Sequence, residues 1–421
     1  MTWPLSDFGE KLGAHSGINE LMKDLGSATS GRRDLVMLGG GNPAHIPEIE
    51  KIWRHRWLEI ASQDNALERL LGNYDGPQGN PEFIQSLVMS LKNRYGWDIR
   101  SENVAIVNGS QNAFFYLFNM LGGRHENRSR GKILLPLSPE YIGYADQGIY
   151  DGMFQAVPPG IELIGDHFFK YHINFDKLKV NNDIAAICVS RPTNPTGNVL
   201  TNDEVSRLEE LAGRHHIPLM IDNAYGAPFP DIIFNEVQPL WTDHTILVMS
   251  LSKLGLPGTR TGIVLAREEL IESLAAMNAV LGLANGNTGQ VIAEPLLRDG
   301  TLYQACQDHI QPYYFKKSRQ AISWLKESLN DNLPYRIHVS EGALFLWLWF
   351  DRLPITSAEL YRRLKARNVL IIPGHYFFYG LDEVHEHQHR CIRLSYAQKD
   401  ETVQRGIAIL AEEVSKAYGG F

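Results

Sequence analysis

From about residue 100 to 270 the chain alternates short runs that are apolar at every position with longer stretches that are apolar on one helical face only. The runs are VAIV at 104–107, ILL at 133–135, AAICV at 185–189, PLMI at 218–221, TILVM at 245–249 and GIVLA at 262–266. Runs this short, without the polar alternation of a half-exposed strand, predict strands buried on both faces of a mostly parallel sheet. Between them, Ser110 to Leu121 reads as a helix, and Thr201 with Glu204 forms a capping-box pair ahead of the stripe Val205, Leu208, Leu211 and Ala212. Strands alternating with helices define an α/β domain.

After about residue 300 the pattern changes to long helical stretches with a few strands. ALFLWLWF at 343–350 and RCIRLSY at 390–396 read as core strands; Thr356 and Glu359 cap a helix. Val403, Ile407, Leu410 and Val414 line a last helix that Gly419 and Gly420 stop. A second, smaller α+β domain is expected there. The first fifty residues, with Gly39, Gly40, Gly41 and Pro43, form an irregular N-terminal arm.

Composition adds limits. At 421 residues and 44% apolar, the chain has room for a large core without disulfides or structural metal. Its net charge of −8 favours neither nucleic acid nor an anionic membrane, and leaves a small molecule as the default partner. Cys188, Cys306 and Cys391 are odd in number and widely spaced, which points to a reducing compartment. The start, MTWPLSDFGEKLGAHSG, has neither a basic nor an apolar leader segment, and no apolar stretch is long enough to span a membrane. We therefore expect a cytoplasmic protein.

The chemistry gathers just after the predicted strands, where ligands sit in open α/β sheets. After TILVM comes SLSKLGLPGTRTG, in which Lys253 is a candidate imine-forming nucleophile and Ser250, Ser252 and Arg260 are candidate phosphate ligands. After AAICVS comes Arg191 and then PTNPTGN, a rigid turn that fixes Asn194. After PLMI comes Asp222, with Tyr225 three residues on. After VAIV comes Asn108-Gly109-Ser110-Gln111, a helix start suited to an anion. Taken singly, Lys253 reads as a solvated lysine, Asp222 and Ser110 as N-caps and Asn194 as a turn former. Four adjacent strand ends that supply a phosphate cradle, an amide, a carboxylate and an amine meet the needs of pyridoxal phosphate.

These segments, with GGGNPAHIP, NYDGPQG, SPEYIGYADQG, IDNAYGAPFPDIIF, EGALFLWLWF and IRLSY, are similar to those of the fold-type I aminotransferases over essentially the whole chain. The resemblance implies an α/β fold, with a large domain whose mostly parallel mixed sheet is sandwiched by helices and a smaller α+β domain. It divides the chain into an arm at 1–49 packing with the small domain, a cofactor domain at 50–300 and a small domain at 301–421. It implies pyridoxal 5'-phosphate as cofactor, with Lys253 bonding it and later carrying a proton. Asp222 would pair with the ring nitrogen, Asn194 and Tyr225 with the ring oxygen, and Tyr141 would stack on the ring. Ser110, Gln111, Ser250, Ser252 and Arg260 would surround the phosphate, and Tyr74 would reach the phosphate of a second subunit in a homodimer. Arg393 would bind the substrate carboxylate, with Gly41 approaching the same group. Strand alternation independently sends Arg393 to the face opposite Ile392 and Leu394. The expected reaction is a two-step amino transfer from valine or a related aliphatic amino acid to pyruvate. The alternatives are a β C–S lyase, which would share every cofactor contact, and an aminotransferase of different donor preference; a transcription regulator on the same fold would need a basic DNA-binding domain, and none is expected with the chemistry beginning within about forty residues of the start.

HEHQH at 385–389 matches the H-E-x-x-H zinc pattern, which works only on a helix. It runs straight into RCIRLSY without a helical stripe, so a solvated loop and no metal are expected, and His215 and His216 read as the exposed end of the capped helix. GGGNPA lacks the third glycine of a dinucleotide fingerprint.

Overall fold

The computed structural model describes residues 3–13, 17, 19, 35–126 and 128–419. Its first sheet runs β2 (Val104–Val107), β11 (Gly262–Leu265), β10 (Thr245–Ser250), β9 (Leu219–Asp222), β8 (Ile184–Ser190), β4 (Arg128–Leu135) and β3 (Gly123–His125), with β5 (Phe154–Ala156) also on β4. Strands β10, β9, β8, β4 and β5 are mutually parallel; β11 is antiparallel to both its neighbours. Alternation along each strand serves two cores. Ile106, Ile187 and Val189 join one apolar cluster, and Ala105, Val107, Ala186 and Cys188 the other, so both faces are covered and the runs are apolar throughout.

The expectation of four adjacent strand ends is corrected by β11, which lies between β2 and β10. Because β11 runs the opposite way, its first residue comes to the edge where the parallel strands end. Gly262 pairs there with both Ser250 and Val107. A Cβ on Gly262 would stand 2.5 Å from the Gly109 carbonyl carbon and 2.6 Å from the Ser110 nitrogen, so glycine is needed for this close approach.

The second sheet runs β15 (Ile372–Pro373), β16 (Cys391–Ser395), β13 (Phe345–Phe350), β12 (Tyr335–His338), β7 (Phe168–His172) and β6 (Gly160–Ile164). Its last two strands come from inside the stretch expected to form the large domain, so a division at residue 300 does not separate the sheets. The reason is the pairing of β7 with β12, which buries Phe169 and Tyr171 against the second sheet. In the arm, β1 (Val36–Met37) pairs with β14 (Val369–Leu370), and Ser395 N–H donates to the Leu38 carbonyl at 2.7 Å. These bonds carry Gly39 to Gly41 to the edge of the first sheet.

The helices follow their sequence signals. Ser110–Leu121 is one helix; Thr201 and Glu204 cap Asn202–Arg214 in both directions; Thr356 accepts from Glu359 N–H ahead of Ser357–Ala366. Val403, Ile407, Leu410 and Val414 are buried in Asp400–Ala417, and Gly420 lies outside the described residues.

Candidate active site

Strands β8 and β9 end level with one another, because Ser190 pairs with Asp222, and β10 runs two residues further, since Asp222 pairs with Val248 and β10 ends at Ser250. Asp222, 7% exposed, is held by two donors: Ala224 N–H at 2.9 Å on Oδ1 and the Tyr144 hydroxyl on Oδ2. Burial pushes its pKa up, while these two bonds and the Lys253 charge pull it down. The result is a fixed carboxylate with a cation nearby.

Lys253 sits in the 3-10 turn Ser252–Leu254 directly after β10. Its Nζ donates to the Gly41 carbonyl at 2.5 Å and lies 5.2 Å from the Tyr225 ring centre. Burial, with help from the Arg393 and Arg260 charges and against that of Asp222, lowers its pKa to about 8. A lysine in this state has an appreciable neutral fraction near pH 7, which nucleophilic and base chemistry require.

The turn after β8 places Asn194 in contact with Arg393, whose Nη1 donates to Asn194 Oδ1 at 2.6 Å. Arginine only donates, so this contact fixes the amide with its NH2 free for an acceptor elsewhere. Arg393, 3% exposed, also donates to the Gly39 carbonyl at 2.8 Å, and its guanidinium carbon lies 4.1 Å from the Phe345 ring centre. Its Nε is buried without a partner, and burial lowers its pKa to about 10. A desolvated guanidinium with a donor to spare suits a carboxylate.

The cradle lies where the helix Ser110–Leu121 begins. A Cβ on Gly109, at φ +88°, would collide with the Arg260 guanidinium, so Arg260 lies against the helix start. Ser252 N–H donates to Ser250 Oγ at 3.0 Å, and the two hydroxyls are 2.9 Å apart. Ser250 is 1% exposed, so Ser252 is the hydroxyl that faces outward. Gln111 uses its side chain on the Gly143 carbonyl at 2.8 Å, which leaves its main-chain N–H for a ligand. The Tyr141 ring lies over Gly143, where a Cβ would stand 2.5 Å from its Cζ. Tyr225 is 6% exposed and packs on Phe345; burial raises the pKa of Tyr225 and, in the same direction, of Tyr141.

The structure thus brings together Lys253, Asp222, Asn194, Tyr225, Tyr141, Arg393, Gly41, Ser250, Ser252, Ser110, Gln111 and Arg260. Tyr74 stands apart, 84% exposed, with no hydrogen bond to these residues within the chain. Three contributors were missed by sequence reasoning: Tyr144, Gly39 and Glu140. Glu140, 3% exposed, accepts from the N–H groups of Tyr141 and Ser190 and from the Ser190 hydroxyl, and burial raises its pKa to about 8. Its one signal was a charge between Pro139 and Tyr141.

The solvated loop expected for 385–389 is corrected. His387 is 7% exposed in the 3-10 turn Glu386–Arg390, bonded to the Tyr171 hydroxyl, and burial lowers its pKa to about 3. The Trp349 and Phe378 rings pack edge-on against His387, while Glu386 beside it stays exposed. No group of three or more metal-ligating side chains occurs among the described residues.

A fold of this kind with a lysine, a carboxylate and an anion cradle at one sheet edge defines a class, and the chain belongs to it: residues 149–410 match the aminotransferases of class I and II. It is 47% identical over 420 residues to the valine–pyruvate aminotransferase of Escherichia coli K12, covering 99% of both chains. Among solved structures, a putative amino-acid aminotransferase from Psychrobacter arcticum 273-4 superposes with a TM-score of 0.96, at 44% identity over the full length of both. Valine–pyruvate aminotransferase from Salmonella typhimurium LT2 superposes with a TM-score of 0.88, at 46% identity over 96% of this chain and 99% of that one.

The residues fit pyridoxal phosphate, the cofactor of this class. A buried carboxylate held by two donors suits a pyridinium nitrogen, a free amide NH2 suits the ring oxygen, and a helix start kept open by Gly109 and Gly262 beside Arg260 suits the phosphate.

Proposed function

We propose that the chain transfers the amino group of valine, or a related aliphatic amino acid, to pyruvate, giving 2-oxoisovalerate and alanine. The observation that carries amino-acid chemistry is the buried Arg393, with an unpartnered Nε, joined to Asn194 on the same sheet edge as Lys253. The choice of valine rests on the full-length likeness to the Escherichia coli enzyme.

Bound pyridoxal phosphate supplies the electron sink that makes the substrate α-proton removable. Asp222, anchored by Tyr144 and Ala224, keeps a proton on the ring nitrogen. Asn194 and Tyr225 hold the ring oxygen, and Tyr141 covers one ring face. Ser110, Gln111, Ser252 and Arg260 hold the phosphate, with Ser250 bracing Ser252. Arg393 binds the carboxylate and so presents the α-carbon to Lys253. Lys253, facing the α-carbon so presented, would take up the α-proton and hand it on, a base role that its burial and lowered pKa suit. The second half-reaction uses the same groups in reverse with pyruvate.

We assign the working form to a homodimer with Tyr74 reaching the neighbouring phosphate, a reading supported by the exposure of Tyr74 beside Leu71 at 70%. A cytoplasmic setting accords with three unpaired cysteines. A panel of amino donors with pyruvate, followed by alanine formation, tests the substrate assignment. Valine should be used faster than aspartate and aromatic donors; equal or faster use of those would refute it.

A further inference from the structure

One buried ion pair ties the second sheet to the turn that carries Asn194. Lys170, at the centre of β7, and Glu341, in the loop before β13, are bonded to each other and only 9% and 7% exposed. Lys170 Nζ donates to Asn198 Oδ1 at 3.0 Å and to the Val199 carbonyl at 3.2 Å. Val199 N–H donates to Glu341 Oε2 at 3.0 Å, and Glu341 N–H to the Gly197 carbonyl at 3.3 Å. The pair therefore grips residues 197–199, the outgoing limb of the Asn194 turn. Asn235 Nδ2 completes the carboxylate's bonding with a donation to Oε1 at 2.9 Å.

The same loop reaches the other wall of the carboxylate site. Glu341 is followed by Gly342, where a Cβ would stand 2.5 Å from Pro192 Cγ, at the incoming limb of the turn. Four residues after Glu341, Phe345 packs against the Arg393 guanidinium at 4.1 Å. A pair desolvated to this degree contributes little net stability, because the cost of burying both charges offsets most of their attraction. Its position explains it better: it fixes both Asn194 and Phe345, two of the side chains that hold Arg393.

We propose that Lys170 and Glu341 are positioning residues for substrate carboxylate binding, acting through Asn194, Phe345 and Arg393. The inference rests on Arg393 as the carboxylate's partner. Its test compares holoenzyme carrying Lys170→Met, Glu341→Met and both together, measuring Tm, kcat and KM for valine and pyruvate, and inhibition by 3-methylbutanoate, a carboxylate without an amine. Each single change leaves a buried charge unpaired and lowers Tm. The double variant replaces both charges with apolar side chains of similar volume and regains much of that Tm, so it remains measurable where a single variant fails to fold. In it, KM for both substrates and the inhibition constant should stay about 10-fold raised, the loss of a charge-assisted hydrogen bond's worth of order, with kcat within about twofold. Return of KM and the inhibition constant to wild-type values along with Tm would overturn the positioning role. Arg393→Lys separates the two readings. An inhibition constant unchanged by that substitution would refute Arg393 as the carboxylate's partner and the positioning role with it. One raised by Arg393→Lys but normal in the double variant would overturn the positioning role alone.

Discussion

Lys253 holds a conflict between stability and chemistry. Burial and the Arg393 charge lower its pKa to about 8, whereas the unfolded chain protonates it as an ordinary lysine at about 10.5. The unfolded state then binds more protons between those values, so the lysine's destabilising effect is complete below about pH 8 and fades as the pH rises towards 10.5. In the cofactor-free protein, Lys253→Met should therefore raise Tm at pH 7 by on the order of 2 °C, with the gain shrinking as the pH approaches 10. Paired melting curves across that range check it; a gain independent of pH would refute the titration as its cause. At this scale the sequence could point to candidate residues, since their types and their place after apolar runs are local facts. It did not show what holds them. Tyr144 is legible only once Asp222 is known to lie against it, and Gly39 only once β1 is known to pair with β14.

At the scale of elements, the strands and capped helices were legible because each is written in a few consecutive residues, as in the Thr201–Glu204 box. Pairing order was not, because the direction of β11 depends on residues far apart in the chain. That direction matters for cofactor binding. Gly262 enters the sheet against the Gly109–Ser110 peptide, and both atoms that a new Cβ would meet are backbone, so the helix start itself must move. Gly262→Ala should cost roughly 1–3 kcal/mol of stability by overpacking and raise the Kd for pyridoxal phosphate about 10-fold or more. Chemical denaturation and cofactor titration measure the two effects. Undiminished affinity in a folded variant would show that the helix start does not hold the phosphate. The β6–β7 pair was hidden for a related reason: FFKYH carries a strand pattern, and nothing in it names the sheet it joins.

At the scale of the molecule, the residues proposed for the site gather around one edge of the first sheet, with Arg393 reaching it from the second sheet and Gly41 from the arm; Tyr74, 84% exposed, stands apart. A subunit that works alone leaves Tyr74 idle; a homodimer can bring it to the neighbour's phosphate. Hybrid dimers decide between these without ambiguity. In one hybrid, a Lys253→Ala chain is paired with a Tyr74→Ala chain; in the other, a wild-type chain is paired with a chain carrying both substitutions. Each hybrid contains one Lys253 and one Tyr74. If Tyr74 acts across the interface, the first hybrid has a complete site, because the chain that keeps Lys253 receives Tyr74 from its partner, and the second has none. At limiting cofactor the first should retain wild-type affinity at its single working site, and the second should bind about 10-fold more weakly, the loss of one phosphate hydrogen bond. The reverse order of affinities would place Tyr74 at the site of its own chain, and equal affinities would remove it from the cofactor site altogether.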